Sequence, residues 1–142
     1  MQNIKKDLKT YIYLVFLVIA DQLTNYLFFN QKIFEWLFTP VLNNGISRSM
    51  PVNMTLIYLI SFGAIGFIFQ MRQKQKIWKY EFILFTAWLL GNLIDRLFLG
   101  WVRDFIDLRF FPIFNLADVF LTISVAIMFY HEIFGKWKKS EW

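Results

Sequence analysis

The chain has no cysteine and a single histidine, His131. Without cysteine there are no disulfides, no thiolate ligands for zinc or iron–sulfur clusters, and no thiol nucleophile. One histidine excludes a multi-histidine metal site and weighs against a serine–histidine triad. No glycine-rich phosphate loop is present either. Charge is scarce: 18% of the 142 residues are charged, against 58% hydrophobic, with 18 phenylalanines. That balance is too apolar for a typical soluble domain, and it reads as an integral membrane protein built as one domain over residues 1–142. The formal charge of +5 would also suit nucleic acid or anionic lipid. The apolar content favours the membrane, and no nucleic-acid partner is expected.

A bilayer-spanning helix needs about 20 mostly apolar residues. Four stretches qualify, approximately 11–29, 54–71, 80–99 and 113–134. The first could be the apolar region of a signal peptide behind Lys5, Lys6 and Lys9. Its apolar run continues through Tyr26, Leu27, Phe28 and Phe29, however, and no small-residue cleavage site follows. Basic residues set the orientation. Lys5, Lys6 and Lys9, then Arg72, Lys74, Lys76 and Lys79, then Lys136, Lys138 and Lys139 place ten of the 15 on one side. That side is expected to be cytoplasmic, with both termini on it. Lys32, Arg48, Arg103 and Arg109 fall on the other side, where two connections lie, 30–53 and 100–112. The first contains Trp36, Phe38, Pro40 and the turn pair Asn44-Gly45.

An ionisable group inside a span costs about 2.5–3.5 kcal/mol on insertion scales, so it faces protein or water and is a functional candidate. Span one carries Asp21, Gln22, Thr24 and Asn25; span three carries Asn92, Asp95 and Arg96; span four carries Asn115, Asp118 and Thr122. Spacings of three and four residues put most members of each set on one helix face. The topology brings all three faces to similar depth near the outer surface. Asp104 and Asp107 lie in the connection before span four. Each residue also has a structural reading. Asn115 and Asp118 resemble a helix N-cap with an acidic third residue. Asp95-Arg96 could be a charge pair at a helix end, and Asp21 could bond a neighbouring helix. His131 reads as an interfacial residue, and Trp88, with the phenylalanines, as lipid-facing or packing. What these readings leave unexplained is the convergence of Asp21, Asn92, Asp95, Arg96, Asp104, Asn115 and Asp118.

The reactive groups available are carboxylates. Two that lie close together share a proton. One then acts as base on a water while the other donates to a carbonyl oxygen, and the titration belongs to the pair. Asp104 and Asp118 are the natural pair. Two other readings stand beside this one. Buried Asp, Asn and Arg clusters also mark ion paths, so a small transporter is possible. A non-catalytic assembly factor binding a partner helix through the same cluster is the third reading.

The motifs, taken together, resemble bacterial lipoprotein signal peptidase, or signal peptidase II. The matching segments are Asp21-Gln22, Asn43-Asn44-Gly45-Ile46-Ser47, Gly91-Asn92-Leu93-Ile94-Asp95-Arg96, Val102-Arg103-Asp104-Phe105 and Phe114-Asn115-Leu116-Ala117-Asp118. They occur in the family's order over nearly the whole chain. Asn25, Arg48 and Trp88 stand where the family pattern usually has other residues. The resemblance implies an all-α membrane protein of four transmembrane helices, with a small extracytoplasmic β-like cradle between helices 1 and 2. It implies an aspartic endopeptidase of the bacterial inner membrane, without metal or cofactor, cutting prolipoproteins before a diacylglyceryl-cysteine. It further implies Asp104 and Asp118 as the catalytic pair and Asn92, Arg96 and Asn115 as substrate-orienting. Asp21, Asn43, Gly45 and Asp95 are implied as supports. A monomer acting beside membrane lipid, and inhibition by globomycin, are expected with it.

Overall fold

The computed structural model describes residues 2–30, 37–45, 53–74 and 77–134. Lys32, Trp36, Ile46, Ser47, Arg48, Lys76, Lys136, Lys138 and Lys139 of the sequence reading lie outside the described residues. The described elements are α1 (Gln2–Asn30), β1 (Phe38–Asn43), α2 (Met54–Gln73), α3 (Lys79–Leu99), β2 (Val102–Ile106) and α4 (Leu116–Phe134). Four helical segments are long and apolar enough to cross a membrane: Leu8–Phe29, Met54–Gln73, Lys79–Leu99 and Leu116–Phe134. The chain is a multi-pass membrane protein. Its helices turn large apolar side chains outward, among them Phe16, Leu59, Phe67, Phe129 and Ile133. Exposed apolar faces of this kind match lipid.

The third helix is the hub. Half of its apolar window is buried, against 11–17% in the other three. Around it Leu14 of α1, Ile68 of α2, Phe82, Ile83 and Ala87 of α3 and Phe120 of α4 form the main core. Lipid removes the hydrophobic drive between helices, so close packing of small residues and interhelical hydrogen bonds must hold them. Gly91 shows this directly. A Cβ there would meet Asp21 Oδ2 at 2.6 Å and the Ala117 Cβ at 3.2 Å. Glycine at 91 therefore lets α1, α3 and α4 converge.

Local chemistry fixes the helix ends. The Asn53 side chain accepts from Thr55 N at 2.9 Å and starts α2. The Glu81 carboxylate accepts from Trp78 N at 2.9 Å at the start of α3. That helix ends at Gly100, whose φ of 84° is left-handed and whose N–H returns to Arg96 O. The first helix begins nine residues before its apolar run, because Lys5, Lys6 and Lys9 carry no helix-breaking character. The fourth begins at Leu116, not at residue 113. Phe114 pairs with Ile106 as an isolated bridge, which holds that segment extended until Asn115.

The β-like element expected from the first connection is present, and the second connection completes it. β1, from the first connection, pairs antiparallel with β2, from the second, so both contribute one strand. Val41 lies opposite Asp104, Leu42 opposite Arg103 and Asn43 opposite Val102, and the register is irregular between Phe38 and Val41. Pro40, which has no N–H to give, sits in that irregular stretch. Phe28 of α1 packs on Phe38 at 4.4 Å and on Phe105 at 5.6 Å, pinning both strands to the end of α1.

Candidate active site

The sheet sits at the end of the bundle where α1 and α3 finish and α4 begins, and it carries Asp104 on β2 rather than on an irregular connection. Asp118 is the third residue of α4. Asp104, Asp118, Asn92, Arg96 and Asn43 all line one cavity of ≈ 280 Å³, whose apolar wall comes from α2 and α3 through Ile57, Ile60, Phe85, Trp88 and Leu89. Two successive elements, β2 and α4, thus place two carboxyls on one space.

Those carboxyls have unequal surroundings. Asn43 Nδ2 donates to Asp104 Oδ2 at 2.8 Å, and Asp104 Oδ1 is buried with no hydrogen-bond partner among the described residues. Burial pushes the Asp104 carboxyl up to about 7; the Asn43 hydrogen bond opposes this, and the charge of Asp118 adds to it. Asp118 is held by more donors. Its Oδ1 accepts from Trp88 Nε1 at 3.1 Å and from Asn92 Nδ2 at 3.3 Å, and its Oδ2 faces Asn115 N at 3.4 Å. Asn115 Oδ1 in turn accepts from Asp118 N at 3.0 Å. The N-cap reading of Asn115 and Asp118 is therefore correct as geometry, and it places Asp118 at the cavity.

Arg96 reaches across the site without pairing with either carboxyl. Its Nη2 donates to Gly45 O at 3.0 Å and its Nη1 to Asn92 O at 3.3 Å. Gly45 N donates to Asn43 Oδ1 at 3.1 Å, so the Asn43–Gly45 turn both holds Asp104 and receives Arg96. Asn115 Nδ2 donates to Asn92 Oδ1 at 2.9 Å.

Beneath the cavity is a brace. Asp21, fully buried, accepts Ala117 N at 2.8 Å, Gln22 Nε2 at 3.1 Å and Asn25 Nδ2 at 3.2 Å. Gln22 also donates to Gly91 O at 3.2 Å. Asp95 is paired with Arg103 at 2.7 Å, not with Arg96. Neighbours on a helix point about 100° apart and do not face each other, whereas Arg103 on β2 crosses back over α3. Its Nη2 also donates to Gln22 Oε1 at 2.9 Å.

A signal peptidase II family model matches residues 13–134. A lipoprotein signal peptidase of Caldanaerobacter subterraneus subsp. tengcongensis is 33% identical, covering 87% of this chain and 94% of the relative. A lipoprotein signal peptidase of Lactobacillus gasseri is 36% identical, covering 91% and 96%. The chain belongs to the signal peptidase II family. Its fold agrees: a bacterial membrane enzyme solved by the in meso method at 2.3 Å superposes with a TM-score of 0.77, 28% identity, and coverage of 94% of this chain and 93% of that one.

Within this family member, the structure brings together every residue the sequence singled out for the site. Asp104, Asp118, Asn92, Arg96, Asn115, Asn43 and Gly45 surround the cavity or bond to groups that do, while Asp21 and Asp95 lie in the brace. Three polar residues fall outside. Thr24 and Thr122 bond back to carbonyls of their own helices, Thr24 to Ala20 O and Asp21 O, Thr122 to Asp118 O. Asp107 binds Thr39 and the Arg109 turn. Two residues read as passive are not. Trp88 donates to Asp118, and His131 lies 2.6 Å from buried Glu81 at the other end of the bundle. In the sequence Arg103 is a basic residue of the outer side within the Val102-Arg103-Asp104-Phe105 segment, and nothing in its spacing from Asp95 and Gln22 signals the brace. Tyr58, whose hydroxyl donates to Arg96 O at 3.0 Å, was not singled out.

Proposed function

We propose that this peptidase removes signal peptides from diacylglyceryl-modified prolipoproteins, with Asp104 and Asp118 as its catalytic dyad. The observation that carries the assignment is the meeting of these two carboxyls on one cavity, one of them pushed up to about 7. At neutral pH such a pair holds one proton. The ionised carboxylate takes a proton from water as its oxygen attacks the scissile carbonyl carbon, and the carboxylic acid donates to the carbonyl oxygen. Collapse of the tetrahedral intermediate breaks the C–N bond, and the proton taken from water passes to the departing amine. No covalent enzyme intermediate forms.

Asn92, Arg96 and Asn115 orient the substrate backbone and the dyad; Asp21, Asn43, Gly45 and Asp95 support them. Peptide groups of a membrane helix are already hydrogen-bonded, so the scissile segment must unwind to be cut. The polar rim of the cavity offers partners for the groups released. The distribution of basic residues supports an orientation with both termini in the cytoplasm and the dyad near the outer face of the bacterial inner membrane. The cut before the lipidated cysteine then falls at the depth of the lipid anchor. The enzyme works as a monomer, without cofactor or metal.

The test is cleavage of a diacylglyceryl-modified prolipoprotein by the purified enzyme. The wild type is expected to cut it and to be blocked by globomycin. Asp104→Asn and Asp118→Asn are each expected to lose at least 10³-fold in kcat while keeping the wild-type thermal midpoint within a few degrees. Cleavage retained by either variant would remove that residue from the dyad.

A further inference from the structure

Trp88 stands one helical turn before Asn92 on α3, so both side chains lie on one face. Both donate to Asp118 Oδ1, Trp88 Nε1 at 3.1 Å and Asn92 Nδ2 at 3.3 Å. The directions of these bonds are fixed. An indole nitrogen only donates. The backbone N–H of Asp118 only donates too, so Asn115 must present Oδ1 to it. Asn115 Nδ2 is then left for Asn92 Oδ1, and Asn92 Nδ2 is left for Asp118. The chain of bonds begins and ends on Asp118 and delivers N–H groups to its carboxylate. The ring of Trp88 is steadied by Phe85, whose centroid is 5.3 Å away at 69°. Asp104 differs: one donor, Asn43, binds Oδ2, and the buried Oδ1 has no hydrogen-bond partner among the described residues and is open to a proton.

We propose that Trp88 is a positioning residue whose indole N–H holds Asp118 as the ionised base of the dyad and so leaves the shared proton on Asp104. This rests on the dyad assignment above. It gives the two carboxyls distinct roles, with Asp118 activating water and Asp104 protonating the carbonyl oxygen. Charged groups that act on Asp118 are Asp21 on α1, Arg96 on α3 and Asp104 on β2. The α2 wall of the cavity is Ile57, Ile60, Ser61 and Ala64, none of which titrates.

The experiment is steady-state cleavage of the diacylglyceryl-modified prolipoprotein against pH by full-length wild type and Trp88→Phe. Phenylalanine keeps a ring in the wall and deletes the N–H. The expected result is a roughly tenfold lower kcat, KM within twofold of wild type, and an acidic limb of kcat displaced to higher pH. A wild-type kcat with an unmoved limb overturns the proposal. So does a change confined to KM, which would make Trp88 a cavity wall only. Should Trp88→Phe fail to fold, wild type labelled at its indole nitrogens supplies the readout. One indole N–H resonance should move with pH across the acidic limb, and no moving resonance overturns the proposal. Asp118→Asn is run alongside. If it still cleaves, the dyad reading fails; if it is inactive and Trp88→Phe is unaffected, only the role of Trp88 fails.

Discussion

At the scale of single residues, Asp104 carries the sharpest consequence. Its ordinary value is 3.8, and burial raises it to about 7. A carboxyl raised on folding takes up a proton when the chain folds. Its contribution to stability is complete below the free value and disappears as pH rises through the folded one. The thermal midpoint in detergent should therefore fall between about pH 4 and about pH 7, and Asp104→Asn should flatten that slope. Activity follows the same group. Once Asp104 ionises the proposed dyad has no proton to give, so kcat should decline above about 7. The Asn43 hydrogen bond favours the ionised form. Asn43→Ala should thus move the alkaline limb up by about one pH unit. An unmoved limb in a pH–rate profile would mean that another group sets it.

At the scale of elements, the decisive contact is the convergence on Gly91. A methyl there would stand 2.6 Å from Asp21 Oδ2 and 3.2 Å from Ala117, and Asp21 is itself fixed by the backbone N–H of Ala117. None of the three can give way alone. Gly91→Ala should cost about 1–3 kcal/mol and, by shifting the start of α4, displace Asp118 and lower kcat at least tenfold. Gly63→Ala on α2, with nothing within 4 Å, is the control and should be neutral or stabilising by up to about 1 kcal/mol. Thermal midpoints and single-turnover cleavage separate the two. Helices of this kind were legible in the sequence because four apolar runs of the right length leave few alternatives. The shared helix faces of Asp21, Asn92 and Asp118 with their polar neighbours followed from helical spacing. The pairing of the two strands was not legible. Val102–Ile106 is five residues long and pairs with a segment some 60 positions earlier, and such pairing depends on long-range register that local pattern does not carry. For the same reason the sequence offers adjacent Arg96 as one option for Asp95, whereas its partner, Arg103, comes back across a turn that only the fold supplies. Trp88 packs as its apolar helix suggests, but its N–H bond was not legible, because it finds Asp118 only once α4 is in place.

At the scale of the whole molecule, two polar knots tie opposite ends of an otherwise apolar bundle. At the cavity end, Arg103 joins three elements, bonding Asp95 on α3 and Gln22 on α1 from its own place on β2. At the other end, buried Glu81 accepts Trp78 N and meets His131 of α4 at 2.6 Å, while the His131 ring lies against Trp78 at 4.8 Å. The two knots use the same chemistry for different ends. Only the first positions the strand that bears Asp104, so the two should separate in their effects. Arg103→Leu leaves Asp95 buried without its cation, at a cost of about 3–5 kcal/mol, and loosens β2 against the helices. It should lower both the thermal midpoint and kcat. His131→Leu takes one partner from Glu81, at about 1–3 kcal/mol, far from the dyad. It should lower the midpoint while leaving kcat per folded molecule within twofold of wild type. Measuring both variants below their unfolding temperatures decides the matter. A kcat loss in His131→Leu as large as that in Arg103→Leu would show that the bundle transmits disorder from end to end, and that the site is not held by its own brace.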